Sequence, residues 1–499
     1  MMPALRLHEA DSVAVALTAI APGDVLDGVI ARDAIPRGHK VALRDLRAGE
    51  AVVKLGHPIG IAGADIQAGA HVHTHNLRFA PVAATQALPN VARALPEPVG
   101  ATFQGYRRAD GRAGTRNMLL VLSTVNCSAT VTRRIADRFR ASVDLTGTGI
   151  DGVVGLTHRE GCSVRADGPG MDMLRRTLAS YARHPNVGGV LVVGLGCEDN
   201  NVDAFFASAG LHPSDRLTAR VIQQVGGSEA TVGSGIAALK EMLPRVAARR
   251  ETISAQHLVV GLQCGGSDAF SAISANPGVG AAVDLLVAEG GTAILSETPE
   301  IYGAEQLLLA RTPDPGVSAR LRRLIDWWTA HARADGGTLD NNPSAGNKEG
   351  GITTILEKSL GAVAKAGSTP LQAVYEYAEP VTTPGLVFMD SPGYDPMSAT
   401  GQVAGGANLI CFTTGRGSCF GCAPAPSVKV STTTELFRRM GGDMDLNAGT
   451  IIDGEETIAE AGARIFRYWL ETASGRRTAS EALGYGEEEF APWTPGLVY

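Results

Sequence analysis

Four apolar runs of strand length most constrain what this 499-residue chain can fold into. Each run ends in a turn that contains cysteine: MLLVLSTVNCS (118–128), DGVVGLTHREGCS (151–163), GGVLVVGLGCEDN (188–200) and HLVVGLQCGGSD (257–268). Continuous Val and Leu without polar alternation is typical of strands that are buried on both faces of a sheet. Helix-like segments such as ATVTRRIADRFRAS separate the runs, and strands that alternate with helices indicate a parallel α/β sheet.

A second series of strand-like runs follows at 292–296, 386–393, 408–417 and 427–434. The helix-like stretch GSGIAALKEMLPRVAARRE precedes the run at 257–268 and places a domain boundary near residue 250. We therefore predict two α/β domains with largely parallel sheets, at residues 104–250 and 251–499.

The first 78 residues carry a short repeat in which a glycine lies between two aliphatic residues. Its copies read IAPGDVL, IPRGHKV, LRAGEAV and IQAGAHV. Glycine supplies a turn conformation that bulkier residues avoid, and a short β-rich run follows each turn. We predict a small β-rich domain at residues 1–78, and a proline-rich interdomain linker at 79–103.

Composition excludes several classes of protein. The formal charge is 44 − 51 = −7, so a basic stripe for nucleic acid is not expected. No stretch approaches the ~20 apolar residues of a membrane span, and the first residues, MMPALRLHEADS, lack the basic start of a signal peptide. We expect a cytoplasmic enzyme with neither a membrane nor a nucleic-acid partner, whose self-association stays open.

Four of the seven cysteines follow strand-like runs. Cys127, Cys162 and Cys197 are 35 residues apart, and Cys264 comes 67 later. Ligands bind at the carboxyl ends of strands in open α/β sheets, so these thiols are candidate ligands of iron or of an iron–sulfur cluster. The alternative is that each is a small hydrophobe buried in a tight turn. The later CFGC pair, which no second CxxC accompanies, has a structural role in our interpretation.

Histidines offer a second set of candidate ligands. In HVHTHN, period-2 geometry on a strand would place His71, His73 and His75 on one face, and His39 belongs to the same small domain. A metal site is one interpretation and a surface histidine cluster is the other. His158, between two of the cysteines, is either a catalytic acid or base, or simply hydrogen-bonded.

Three glycine-rich turns carry polar side chains: CGGSDAFS (264–271), NPSAGNKEGG (342–351) and TTGRGSCFG (413–421). None has the spacing of a P-loop. Their backbone N–H groups, together with Lys348 and Arg416, are suited to a polyoxygenated anion.

Taken together, the motifs resemble the altronate and galactarate dehydratases, which include relatives of (2R)-sulfolactate sulfo-lyase. The matching pieces are IPRGHKVAL, HVHTHN, YRRADGRAGTRN, GCS, GLGCE, QCGGSDAFSAISANP, IYGAEQLL, NPSAGNKEGGITTILEKSLG, TTGRG and DMDLNAGTI. The resemblance implies an N-terminal β-clip (SAF) domain, two further domains, and iron-dependent dehydration of a sugar acid to a 2-keto-3-deoxy product. The altronate type fits best, although GRGSCFGCAP stands where better-known members resemble GRGTPYG, which puts the substrate's identity in question.

Such a reaction needs a base for the proton beside the carboxylate and an acid for the departing hydroxyl, while a metal ion stabilises the charge that develops. We expect His39, His158 and Lys348 to be catalytic, and Asp268, Glu297, Asn347 and Arg416 to bind the substrate. The metal candidates are His71, His73, His75, Cys127, Cys162, Cys197 and Cys264. Mononuclear Fe(II) is the expected cofactor and a cluster the alternative. Other readings are a dehydratase of galactarate, a sulfolactate lyase, a non-catalytic sugar-acid-binding protein and an iron–sulfur redox protein.

Overall fold

Two parallel sheets and a group of small antiparallel sheets make up the computed structural model, which describes residues 3–26, 28–81, 94–163, 165–312 and 314–495. This mixed α/β architecture, with its β-rich beginning, confirms the predicted fold class. Within the described residues no helix is both long enough and apolar enough to cross a bilayer.

The N-terminal part contains only short strands. They form sheets in the orders β1-β2-β5-β8, β6-β7-β9 and β3-β4. The strands are β1 Ala4–Leu5, β2 Val13–Ala16, β3 Val25–Leu26, β4 Val29–Ile30, β5 Lys40–Ala42, β6 Ala51–Lys54, β7 His57–Ala62, β8 His71–Val72 and β9 Leu77–Arg78.

The glycine repeat sets the geometry of this part. All four repeat glycines are in the left-handed region, with φ between +83° and +93° at Gly23, Gly38, Gly49 and Gly69, as the sequence predicted. The first aliphatic residue of each copy also forms a bridge with another copy, because Ile20 pairs with Ile35 and Leu46 pairs with Ile66. The four copies therefore associate two by two.

A four-stranded parallel sheet, in the order β13-β12-β14-β15, forms the centre of the second part. Leu119 and Val121 of β12 share a core with α1 and α5, whereas Leu120 and Leu122 share a core with α2 and α3, so helices cover both faces. The elements are β10 Thr102–Arg107, β11 Ala113–Gly114, β12 Met118–Ser123, α1 Ala129–Ser142, β13 Gly152–Leu156, α2 Pro169–Ala182, β14 Val187–Gly194, α3 Val202–Ala209, β15 Leu217–Val221, α4 Ile222–Val225 and α5 Ser228–Val246.

A seven-stranded parallel sheet, β19-β20-β18-β17-β21-β22-β23, forms the third part. Its strands are β17 Val259–Cys264, β18 Thr292–Leu295, β19 Leu371–Tyr375, β20 Gly385–Met389, β21 Leu409–Thr414, β22 Ser427–Ser431 and β23 Leu446–Asn447. Its helices are α6 Ala275–Ala288, α7 Gln306–Leu309, α8 Pro315–Ala334, α9 Ala345–Glu349, α10 Ile355–Ala364, α11 Asp395–Gly405, α12 Thr434–Arg439, α13 Thr450–Asp453, α14 Ile458–Ala473 and α15 Ala479–Leu483.

Strand pairing and shared apolar cores connect the three parts of the chain. Strand β16 (Glu251–Ser254) pairs antiparallel with β10, so the chain returns beside the start of the second part before it enters the third. One apolar core includes Val72 of the first part with Leu262 of the third, and another joins Leu174 of the second with Phe412 of the third. The three parts thus stabilise one another by shared burial.

The predicted linker at 79–103 lies only partly within the described residues. Residues 82–93 of it lie outside them, residues 94–101 have neither helix nor strand, and β10 begins at Thr102. The domain boundaries at 78, 103 and 250 stay predictions.

Candidate active site

Three histidines of the N-terminal part meet where that part packs against the third. One ring nitrogen from each of His39, His71 and His73 lies within 4.8 Å of the others. Nδ1 of His39 is 3.0 Å from Nε2 of His71, and the ring centroids of His39 and His73 are 4.4 Å apart. His39 follows the turn at Gly38 and directly precedes β5, while His71 begins β8 and His73 follows it. These residues come together because β5 and β8 pair antiparallel, with Lys40 opposite Val72.

The three imidazoles are electrically neutral at pH 7. Burial, reinforced by the nearby positive charge of Lys40 and by the other histidines, lowers the pKa of His73 to about 3 and the pKa of His71 to about 4. Burial also lowers the pKa of His39. Neutral imidazole is the form that binds transition metals.

The predicted strand through HVHTHN is wrong beyond its second residue. Strand β8 ends at Val72, and residues 73–76 form a turn. Asn76 holds that turn, since its side chain accepts from the N–H of His73 (3.0 Å) and donates to the carbonyl of His71 (2.9 Å). The turn brings His73 to the site but leaves His75 exposed and outside the ligand group. The ring of His75 is tilted by 46° against that of His71, with 5.3 Å between the ring centroids.

The segment 344–351 of the third part forms the opposite wall. Its carbonyl at Glu349 accepts from Nε2 of His39 at 3.1 Å, and the carboxylate of the same residue is 3.1 Å from Nη2 of Arg416. Lys348 precedes Glu349 on helix α9 and is half-buried. Two of the predicted residues, His39 and Arg416, therefore contact Glu349, which the sequence did not single out, and Lys348 is its neighbour in the chain.

Asn347 has a structural role in this wall. Its side-chain oxygen accepts from the N–H and hydroxyl of Ser344, both at 3.0 Å, and completes a capping box for α9. Its side-chain N–H group donates to the carbonyl of Ser267 at 2.8 Å. With both ends of the amide engaged, direct binding of substrate hydroxyls is a prediction that these contacts do not favour.

Asp268 is held just behind the wall. Its carboxylate accepts from the N–H and hydroxyl of Ser271 and from the hydroxyl of Thr432 at 3.1 Å. Glycines at 350 and 415 allow this approach, since a Cβ on Gly415 would stand 2.1 Å from the carboxyl carbon of Asp268. Burial raises the pKa of Asp268 despite these hydrogen bonds.

A second buried group lies at the carboxyl ends of β17 and β18. Cys264, Glu297 and Glu300 each place one ligand atom within 4.8 Å of the other two. Two lysines accompany them: Nζ of Lys358 is 2.8 Å from Glu300, and Nζ of Lys365 is 3.9 Å from Glu297. Sequence reasoning named Cys264 and Glu297 here but missed the other three, which lie in helical or turn segments without a recognisable spacing.

Two carboxyl groups at this site have pKa values above their usual range. Burial, and then the charge of Glu300, raises the pKa of Glu297 well above its usual range and the pKa of Asp395 to about 7. Neither carboxylate oxygen of Glu297 has a hydrogen-bond partner among the described residues, and its backbone has φ +71°. A buried carboxyl without a hydrogen bond, on a left-handed backbone, is costly, and such features cluster at functional sites.

A buried ion-pair triad holds the two walls of the histidine site together. Lys40 and Lys54 of the N-terminal part lie 2.9 and 2.8 Å from the carboxylate of Glu357 in α10. Lys40 also donates to the carbonyl of Gly351 at 2.6 Å. These lysines and Glu357 are almost completely buried, so the triad fixes the position of the N-terminal part on the third part.

The four strand-end cysteines do not form one site, so the idea of a single point of convergence is wrong. Cys127, Cys162 and Cys197 follow β12, β13 and β14 of the four-stranded sheet and are exposed. Cys264 ends β17 of the seven-stranded sheet and is buried. The 67-residue spacing before Cys264, unlike the two equal ones, crosses from one sheet to the other.

His158 is also in the second part, at the end of β13. Its Nε2–H donates to the carbonyl of Ser123 at 3.1 Å, and its Nδ1 accepts from the N–H of Glu160 at 3.2 Å. Burial lowers its pKa to about 4. Because the backbone engages both nitrogens, a proton-transfer role for His158 would require one of these bonds to break.

The histidine site fits a metal ion. Nδ1 of His73 is buried and has no hydrogen-bond partner among the described residues, which is expected of a nitrogen reserved for a ligand. Two nitrogens bound at right angles to one ion, about 2.1 Å from it, stand about 3.0 Å apart. The pair formed by His39 and His71 has this separation.

Comparison with known proteins agrees with this organisation. The altronate/galactarate dehydratase SAF domain matches residues 2–80. The second domain of D-galactarate dehydratase/altronate hydrolase matches residues 105–247, and the C-terminal domain of D-galactarate/altronate dehydratase matches residues 255–498.

Full-length relatives extend the match. Altronate dehydratase of Escherichia coli is 36% identical over 495 residues, covering 97% of this chain and 98% of the relative. Galactarate dehydratase (L-threo-forming) of the same organism is 36% identical over 520 residues, covering 99% and 97%. The (2R)-sulfolactate sulfo-lyase subunit beta of Chromohalobacter salexigens is 32% identical over 397 residues, covering 78% and 96%. The resemblance noted in the motifs is thereby confirmed, and this chain belongs to the altronate/galactarate dehydratase family.

Proposed function

We propose that this chain is a hydro-lyase that dehydrates an altronate-type aldonate to a 2-keto-3-deoxy acid, with Fe(II) on His39, His71 and His73. The reaction belongs to the catabolism of sugar acids, and we place it in the cytoplasm. The observation that carries the proposal is the group of three neutral histidines, in a chain whose relatives bear the names of sugar-acid dehydratases. His39 of this group contacts the carbonyl of Glu349, whose carboxylate contacts Arg416.

The reaction removes a proton next to a carboxylate and expels hydroxide from the neighbouring carbon. A bound divalent ion supplies Lewis-acid stabilisation of the charge that develops on the substrate oxygens. Arg416 suits the substrate carboxylate, because guanidinium binds carboxylate in a bidentate fashion. In the structure Glu349 occupies that guanidinium, so the substrate acid would replace the carboxylate of Glu349.

Lys348 is the residue we assign to proton transfer. It is half-buried beside Glu349 on a five-residue helix whose position Asn347 fixes through the capping box. His39 acts as a ligand rather than as a base in this proposal, since donation from its Nε2–H to the carbonyl of Glu349 directs the Nδ1 lone pair towards His71.

An anaerobic assay of full-length protein against a panel of sugar acids, with and without added Fe(II), tests the proposal. We expect 2-keto acid from altronate, dependent on iron. Galactarate as the preferred substrate, or sulfite released from sulfolactate, would replace the substrate assignment. Iron-loaded protein that binds these acids and forms no product would contradict a lyase.

Variants locate the reaction within the molecule. Lys348→Ala and Arg416→Ala should each lower kcat/KM at least tenfold, because one loses proton transfer and the other loses carboxylate binding. Arg438→Ala, which removes an exposed arginine of α12, is the matched control and should retain wild-type kinetics. Unchanged kinetics in both test variants would remove the two residues from the site.

A further inference from the structure

Three exposed thiols lie at one edge of the four-stranded sheet. Strand β12 is central, with β13 and β14 on its two sides, and all three run parallel. Cys127, Cys162 and Cys197 follow the carboxyl ends of these three strands in turn. Parallel neighbours end at the same edge, so the topology brings all three residues to one side of the sheet.

Hydrogen bonds connect the loops that carry these thiols. The N–H of Asn126, next to Cys127, donates to the carbonyl of Glu160 at 3.1 Å. The N–H of Asn200 donates to the carbonyl of Gly161, next to Cys162, at 3.0 Å, and the side chain of Asn200 donates to the carbonyl of Thr124 at 3.0 Å. Each of the three loops is therefore held against the others.

Buried carboxylate contacts stiffen the third loop. The side chain of Glu198, the residue after Cys197, accepts from the hydroxyl of Thr124 at 2.9 Å and from the N–H groups of Leu195 and Gly196 at 3.0 and 2.6 Å. These bonds join the β14 loop to the end of β12. A loop network built this firmly can hold three thiolates in a fixed arrangement.

Exposure weakens the alternative that these cysteines are simply small hydrophobes. Free cysteine is among the most buried residue types. Cys264, Cys411 and Cys422 follow that rule, whereas the three thiols at this edge are exposed. Their accessibility is what the assembly of a cofactor from solution requires.

The three thiols do not have the close spacing that a single ion requires. Two thiolates on one tetrahedral zinc ion, about 2.3 Å from it, are about 3.8 Å apart. Within the described residues, the groups that bring three ligand atoms within 4.8 Å of one another do not include these cysteines. In an iron–sulfur cluster each thiolate binds a different iron atom, so the thiolates stand farther apart.

A cavity of about 580 Å³ adjoins the same loops. Asn126, next to Cys127, and residues 157–160, just before Cys162, line it together with Arg133 and Tyr394. Helix α1 begins at Ala129, directly behind Cys127, and the N-terminal end of a helix favours negative charge. The start of α1 therefore favours an anionic group at Cys127.

From this arrangement we propose that Cys127, Cys162 and Cys197 hold an iron–sulfur cluster of the [4Fe–4S] class, with three thiolate ligands. The fourth iron would have no cysteine of this edge to bind it. The site is distinct from the histidine site, and the proposal goes beyond the proposed function without depending on it.

The test is anaerobic reconstitution of the full-length protein with sulfide and equal amounts of Fe(II) and Fe(III), which are the oxidation levels of the iron in a [4Fe–4S]2+ cluster, followed by removal of unbound reagents. We expect retention of acid-labile sulfide and iron at about four of each per chain, with visible absorption that bleaches on reduction. Cys127→Ser, Cys162→Ser and Cys197→Ser should each lower the retained sulfide at least fivefold.

Two further variants separate this site from the rest of the molecule. Cys419→Ser removes an exposed thiol of another loop and should retain wild-type sulfide, and His73→Ala should retain it too, whatever its effect on dehydration. Circular dichroism and Tm verify that the serine variants are folded. Wild type that retains iron without sulfide, or folded serine variants that retain as much sulfide as Cys419→Ser, would overturn the proposal.

Discussion

His73 and His75 are two residues apart, yet only His73 is placed where it could bind a metal ion. The turn held by Asn76 places the His73 ring among other imidazoles, with a buried nitrogen that no hydrogen bond satisfies among the described residues. His75, on the outside of the same turn, is exposed. A metal bound here would depend on one residue and not on the other.

His73→Ala should therefore lower iron retention at least tenfold and turnover with it, because a bound ion would lose one of its three nitrogens. His75→Ala should change both by less than about threefold, since its ring lies outside the ligand group. Iron content after anaerobic desalting, measured beside kcat, checks both. Equal losses in the two variants would instead favour the ligand set predicted from the sequence, which includes His71, His73 and His75.

For single residues, the sequence was informative where a residue type favours one particular conformation. The repeat glycines had to be left-handed, and they are. It was uninformative for Glu300, Lys358 and Lys365, because carboxylates and lysines in helices are ordinarily solvent-exposed, and only the tertiary structure buries them. The sequence also did not indicate that Asn347, predicted to bind the substrate, takes part in the capping box of α9.

Among the elements, helix α10 has the most influence on the site. Its Glu357 forms ion pairs with Lys40 of β5 and Lys54 of β6. The carboxylate of Glu357 also accepts hydrogen bonds from the N–H and hydroxyl of Thr353 at 2.9 and 2.7 Å. Although burial alone would raise it, the pKa of Glu357 is held far below its usual range by the two lysines. The carboxylate therefore stays ionised at every pH at which the protein would be assayed.

Glu357→Gln should destabilise the protein by about 3–5 kcal/mol, because it leaves two buried ammonium groups without their counter-charge. The control is Glu435→Gln, which removes an exposed pair with Arg37 (2.8 Å) between the same two parts and should cost less than about 1 kcal/mol. Urea denaturation at pH 7 measures both. Similar losses in the two variants would show that burial of the triad contributes nothing special.

The strands illustrate what apolar pattern reveals about elements. Long Val- and Leu-rich runs predicted β12, β14, β17 and β21 within a few residues, because burial on both faces leaves no room for polar side chains. Strand β15 (LTARV) escaped attention, since it is an edge strand with a partly exposed surface. The end of β8 was also missed, because a side-chain contact from Asn76 decides it rather than any periodicity.

For the whole molecule, shared cores make the three parts interdependent. The junction of the second and third parts includes His184, fully buried, whose Nε2–H donates to the carbonyl of Ala407 at 3.1 Å while Nδ1 accepts from the N–H of Asn186 at 3.1 Å. Burial, with a smaller contribution from Arg112, lowers the pKa of His184 to about 3. The junction therefore requires a neutral imidazole.

This has a predictable pH dependence. The unfolded chain binds a proton at His184 below about pH 6.5 and the folded chain does not, so the stabilisation is complete above that pH and declines as the pH falls towards the folded pKa. The Tm advantage of wild type over His184→Gln should shrink between pH 7 and pH 5, corresponding to about 1–2 kcal/mol. His212→Gln, at an exposed histidine, serves as the control for replacing histidine by glutamine. A constant difference for His184→Gln would contradict a neutral, buried imidazole.

Glu349 gives the histidine site a further property. Its carbonyl oxygen accepts from His39 of the histidine group, and its carboxylate contacts Arg416. A single residue therefore connects the proposed metal ligands with the arginine proposed to bind the substrate carboxylate. An acid bound to Arg416 as proposed would release the side chain of Glu349, while the carbonyl of Glu349 could still accept from His39. Under the proposed function, one residue would therefore contact both the histidine group and the arginine that binds the substrate.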